Sequence, residues 1–136
     1  MLAAVRWSAV LIGAGAGVLV LALVSLVLWL VLSALDAAGA VGAATTFGTV
    51  SGFAAAGWLA GRRAPFSPWF HGAISALAIA LAVVVTSLRG GSRAPLSEVL
   101  LLSALAITLG ALSGFLSAKR AAGRPGLPGE EDAAAD

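Results

Sequence analysis

Residues 57–69 read GWLAGRRAPFSPW, and the fold turns on how this stretch is read. An apolar, glycine-punctuated run stops at Arg62-Arg63, crosses a proline-containing turn and restarts at Ser67-Pro68. Serine suits the N-cap of a helix and proline its first helical position. One helix is therefore expected to end near the arginines and the next to start at Pro68. Residues 114–120, GFLSAKR, write the same exit again: glycine, an aromatic, leucine, two small residues, two bases.

The rest of the chain says what solvent these runs occupy. It has 136 residues, 60% hydrophobic and 10% charged, with a mean hydropathy of +1.05. A soluble domain is about 45–50% apolar and about 25% charged. A chain this short cannot bury so much apolar surface in one aqueous core, so the bilayer is the expected partner. The net charge of +2 and the pI near 10.5 come from arginine. A nucleic-acid partner would need those bases clustered on one soluble face; here they stand at the ends of apolar runs, so none is expected. The absence of cysteine excludes disulfides, thiolate metal sites and cysteine nucleophiles.

A spanning helix needs about 20 mostly apolar residues. Four stretches qualify: residues 7–35, 37–60, 68–88 and 96–118. Asp36-Ala-Ala-Gly39 breaks the first pair and Arg89-Gly-Gly-Ser-Arg93 the last, while Pro95 and Glu98 suit the first turn of the fourth helix. Short connections make consecutive helices antiparallel neighbours, so an all-α, up-down bundle of four transmembrane helices is expected. Residues 121–136 carry Pro, Gly and an acidic run with nothing to bury, and are expected to form a disordered cytoplasmic tail.

Orientation follows from the bases. Arg6, Arg62, Arg63, Lys119, Arg120 and Arg124 fall on one side, Arg89 and Arg93 on the other. Basic residues near helix ends favour the cytoplasm, so a multi-pass protein of the bacterial cytoplasmic membrane with both termini on the cytoplasmic side is expected. Trp7, Trp58, Phe66, Trp69, Phe70 and Phe115 gather at the same boundary, with Trp29 as the outer anchor. A cleaved signal peptide is the competing reading of the N-terminus. Signal cores span about 7–15 residues, and this run is far longer. Its length of about 40 Å exceeds a hydrocarbon core of about 30 Å, so it should tilt or project.

The 17 glycines have a packing logic. Helices in lipid associate by close van der Waals approach over small residues. Gly13 and Gly17 are four apart, as are Gly48 and Gly52, Gly57 and Gly61, and Gly110 and Gly114, while Gly72 opens a similar stripe on the third helix. These nine are the expected helix-packing positions. Leucine at Gly114 should disturb assembly more than leucine at Gly39. Thr45, Thr46, Thr49 and Ser51 collect on the second helix, where their hydroxyls can bond the preceding backbone turn. The register that aligns GWLAGRR with GFLSAKR also pairs Val50 with Ile107 and Ala54 with Ala111, which raises a tandem hairpin repeat as an alternative to coincidence.

Chemistry is sparse. No charge lies in the middle of any span, where an ion-coupled transporter keeps its working group. His71 is the only histidine, and one histidine without a nearby acid or thiol makes neither a zinc site nor a catalytic dyad. It is expected to pack at the interface. No catalytic, cofactor-binding or metal-binding residues are expected.

The stretch SGFAAAGWLAGRRAPFSPWFHGAIS, residues 51–75, resembles the YrzE-like family of small four-helix membrane proteins of Gram-positive bacteria. The shared features are a glycine-rich second helix ending in Gly-Arg, a short turn, His-Gly opening the third helix, and a glycine-rich fourth helix with a basic exit. The resemblance covers residues 7–120 and implies a fold and a location; that family has no established activity. The expected function is therefore a non-enzymatic structural or accessory membrane component, packing as a homo-oligomer or with a larger membrane protein. The alternative is a small oligomeric transporter or channel, with a holin-like pore former a more distant third.

Overall fold

The computed structural model describes residues 6–64, 66–91 and 95–122, and all regular structure among them is helical. Four helices follow one another: α1 (Trp7–Ala34), α2 (Ala40–Arg63), α3 (Pro68–Arg89) and α4 (Leu96–Ala122). Three of them, α1, α3 and α4, are long and apolar enough to cross a membrane. The least apolar is α2, whose glycines, threonines and terminal arginines lower its hydropathy. Of residues 121–136, expected as a disordered tail, Ala121 and Ala122 instead belong to α4; residues 123–136, and Arg93 and Arg124, counted for orientation, lie outside the described residues.

The helices stop where local chemistry stops them. Beyond α1, the Asp36 N–H donates to the Ser33 carbonyl and the Ala37 N–H to the Leu32 carbonyl. That is the two-bond closure of a Schellman turn, with Asp36 at the left-handed position (φ 49) that glycine usually fills. Gly39 follows at φ 78, so α2 begins at Ala40 rather than at residue 37. At its other end α2 runs through Arg62-Arg63 instead of stopping at residue 60. It ends where Ala64 turns extended, as the residue before a proline must. The left-handed glycine Gly91 (φ 80) closes α3.

The expected cap at Ser67 is corrected. Ser67 is the N-cap residue, but at φ 48 its side chain makes no capping bond. Its carbonyl carries the turn instead, accepting the N–H groups of Phe70 and His71 at 3.0 and 3.3 Å. Pro68 occupies the first helical position as expected. The fourth helix is also longer than expected, with Lys119 and Arg120 helical within its last turn.

Packing follows the burial of small residues. In α2, Ala44, Gly48, Gly52, Phe53, Ala56, Gly57, Ala60 and Gly61 are buried, and this helix touches all three others. The core joins Phe53 and Ala56 of α2, Ala76, Ile79 and Ala80 of α3, and Ala106 of α4. By contrast α1 buries only Ala9, Val10, Gly13 and Gly17, all in its first half. It rests on α2 and α3 and does not touch α4. The helices α2 and α3, in contact with each other and with both remaining helices, lie between α1 and α4.

Candidate functional site

The nine expected packing glycines fall on helix-helix seams. On the α1–α2 seam, a Cβ at Gly13 would lie 2.7 Å from the Ala60 Cβ, and one at Gly17 would lie 2.6 Å from the Gly52 carbonyl oxygen. Further along the same seam Gly48 and Gly52 receive Leu21. The α2–α4 seam brings backbone to backbone. A Cβ at Gly57 would lie 2.5 Å from the Gly110 carbonyl oxygen, and one at Gly61 would lie 2.6 Å from the Gly114 Cα. On the α3–α4 seam, Gly72 meets Gly110 and Gly114 meets Pro68. Real Cβ atoms do not come so close, so each site would have to open for any side chain. Gly15, Gly39 and Gly42 have open space around them.

These pairings fix direction. Gly13 with Ala60 and Gly17 with Gly52 make α1 and α2 antiparallel, and Gly72 with Gly110 beside Gly114 with Pro68 does the same for α3 and α4. Gly57 with Gly110 and Gly61 with Gly114 make α2 and α4 parallel. The start of α1, the end of α2, the start of α3 and the end of α4 therefore share one end of the bundle. Arg6, Arg62, Arg63, Lys119 and Arg120 all stand there. The only carboxylates among the described residues, Asp36 and Glu98, belong with Arg89 to the other end.

At the basic end, His71 ties α3 to α1. It is 2% exposed. Its Nε2 accepts the backbone N–H of Arg6 at 3.2 Å, and its Nδ1 faces the Ser67 carbonyl at 3.2 Å. An N–H can only donate and a carbonyl only accept, so these partners assign the ring proton to Nδ1. One turn further, the buried Ser75 hydroxyl donates to the Val10 carbonyl at 3.2 Å. The sequence marks His71 as an interfacial packing residue but carries no sign of this bond to Arg6. The partner is a backbone group 65 residues away.

Of the four α2 hydroxyls expected to bond their own helix, the three threonines do and Ser51 does not. Thr45 donates to the Val41 carbonyl at 2.9 Å, Thr46 to Gly42 at 2.9 Å and Thr49 to Thr45 at 2.8 Å. Thr45, Thr46 and Thr49 line a groove of about 440 Å³ with Val83, Ser87, Leu102 and Leu105. Ser25 of α1, pressed against Gly48, holds the one buried side-chain polar atom without a partner among the described residues. No group of three His, Asp or Glu side chains among the described residues could hold a metal ion. Comparison with family models, with curated proteins and with solved structures returns no match to this chain.

Proposed function

We propose that this chain is a four-span protein of the bacterial cytoplasmic membrane, with both termini cytoplasmic, that serves as a non-enzymatic structural or accessory component. The observation that carries the reading is the surface of α1. Beyond Gly17 no residue of this helix is fully buried, and Leu19, Leu23, Leu26, Val27 and Leu30 are all at least half exposed. Such a surface demands lipid or another apolar protein face around it. In this reading α2 is the fourth span. It can afford lower hydropathy because its small residues meet protein on three sides rather than lipid.

The non-enzymatic reading is supported by what the side chains already do. Both ring nitrogens of His71 face backbone groups, and the α2 threonines are turned to backbone carbonyls. A YrzE-like membership is part of the proposal, as is duplication of one hairpin. Side-by-side hairpins related by a translation would make each odd helix parallel to the other odd helix and each even helix to the other even one. They would also leave α1 and α4 apart. Gly57 packs on Gly110 rather than on its sequence counterpart Gly114, so the second hairpin would be slid about 6 Å toward the basic end.

The groove beside Thr45, Thr46, Thr49 and Ser87 favours one second reading, a small oligomeric transporter or channel with its path along α2. Native mass spectrometry of the protein, extracted gently from its host membrane, separates the two. A stable larger partner or a homo-oligomer without transport activity supports the accessory role. A closed homo-oligomer that passes solute in reconstituted vesicles would replace it with the second reading.

A further inference from the structure

The two basic exits, GWLAGRR and GFLSAKR, converge on one groove. Because α2 and α4 run parallel and touch through Gly57, Gly61, Gly110 and Gly114, their last turns lie side by side. Between them is a cavity of about 280 Å³ lined by Trp58, Arg62, Ser117, Arg120 and Ala121. The Arg120 guanidinium sits 5.3 Å from the Trp58 ring centroid. Ser117 is 1% exposed and its hydroxyl donates to the Gly114 carbonyl at 2.7 Å, which closes the floor. Each exit supplies one arginine: Arg62 from the first and Arg120 from the second.

We propose that this groove binds the phosphate headgroup of an anionic phospholipid. Two guanidiniums at one cavity match the fork-like donors that phosphate oxygens accept. Stacking on Trp58 holds one of them in place, so less side-chain freedom is lost on binding. No described carboxylate competes at this end, since Asp36 and Glu98 stand at the other. Two helix C-termini also meet here, each worth about half a negative charge. The four full positive charges of Arg62, Arg63, Lys119 and Arg120 outweigh them. The lipid source follows from position. The groove lies where apolar surface gives way to bases, and the exposed Leu112 and Leu116, eight and four residues before Arg120 on the same ridge of α4, continue from it as a surface for acyl chains. Basic pockets between spanning helices on the cytoplasmic side are suited to anionic headgroups.

The proposal rests on the membrane reading above. Full-length protein in detergent is equilibrated with an equimolar mixture of phosphatidylglycerol and phosphatidylcholine, and retained lipid is read by native mass spectrometry. Wild type should retain phosphatidylglycerol preferentially. Arg62→Gln with Arg120→Gln should weaken that retention about 30-fold. Arg63→Gln with Lys119→Gln removes the same charge outside the groove and should leave most of it. Arg62→Lys with Arg120→Lys, which keeps the charge and cannot disturb folding through its loss, should fall between them. Equal losses in the two glutamine pairs would overturn the site, leaving only general charge attraction. Displacement of the lipid by excess inorganic phosphate would overturn the lipid assignment. A large gain of retention on neutralising Glu130, Glu131 and Asp132 would instead give the groove to the chain's own acidic segment. Recovery of the protein in the soluble fraction without detergent would sink the membrane reading itself, a separate failure.

Discussion

Single residues carry two kinds of constraint, backbone conformation and closeness of approach. Asp36 holds a left-handed φ of 49 at the position of its turn where glycine is the usual occupant. Asp36→Gly should therefore raise stability by about 0.5–1 kcal/mol, seen as a higher Tm in a fixed detergent; a lower Tm would count against the turn. Closeness governs Gly114, where an added Cβ would lie 2.5 Å from the Pro68 carbonyl oxygen. Gly114→Leu should cost about 3 kcal/mol, at the upper end of core overpacking. Gly39, the comparison the bare sequence offers, is an unfair control because its φ of 78 would strain any side chain. Gly15, helical with nothing within 4 Å of an added Cβ, is the fair one. Gly15→Leu should change stability by less than about 0.5 kcal/mol, and equal damage at both sites would remove the packing argument.

Among the elements, α1 is the one held by least. Its outer half meets α2 through Leu21 and Ser25 at Gly48 and Gly52, and its inner half adds two polar ties to α3, through His71 and Ser75. Those ties predict a local response. His71→Ala should cost about 3 kcal/mol, combining a buried void with a lost hydrogen bond. Ser75→Ala should cost about 1 kcal/mol. In both variants amide hydrogen exchange should quicken at residues 7–13 before it does in α2, because the first half of α1 loses its anchor. Exchange that quickens uniformly would mean that the ties serve the whole bundle rather than this helix. The central helix is the opposite case. In α2 low hydropathy and high burial go together, because glycine and alanine let three neighbours approach without adding apolar side chains of their own.

For the whole molecule the uneven distribution of bases predicts a direction in a bilayer. The bundle gathers Arg6, Arg62, Arg63, Lys119 and Arg120 at one end, and basic ends favour the cytoplasm. With a cysteine-free background, Ala38→Cys in the α1–α2 turn should react with an impermeant thiol reagent applied to intact cells. Ala64→Cys in the α2–α3 turn should react only after the cells are opened. Reversed labelling would invert the topology and move the proposed headgroup groove to the outer leaflet.

The sequence by itself was enough for everything that depends on local composition. Long uncharged runs, punctuated by proline, glycine and arginine, determined four helices to within a few residues. Short breaks between them determined which ends lie together. Glycines four apart marked the faces that pack, since in an apolar solvent only small residues let backbones meet. Turn geometry was less legible: left-handed Asp36 and Ser67 are settled by how flanking helices close, and their residue types permit that conformation without requiring it. Only the tertiary structure decided which seam each glycine joins, the one-turn slide between α2 and α4, and the bond from Arg6 to His71. It also decided that two similar exits share one groove. Those facts are distances between residues dozens of positions apart, and helix periodicity says nothing about the register of one helix against another.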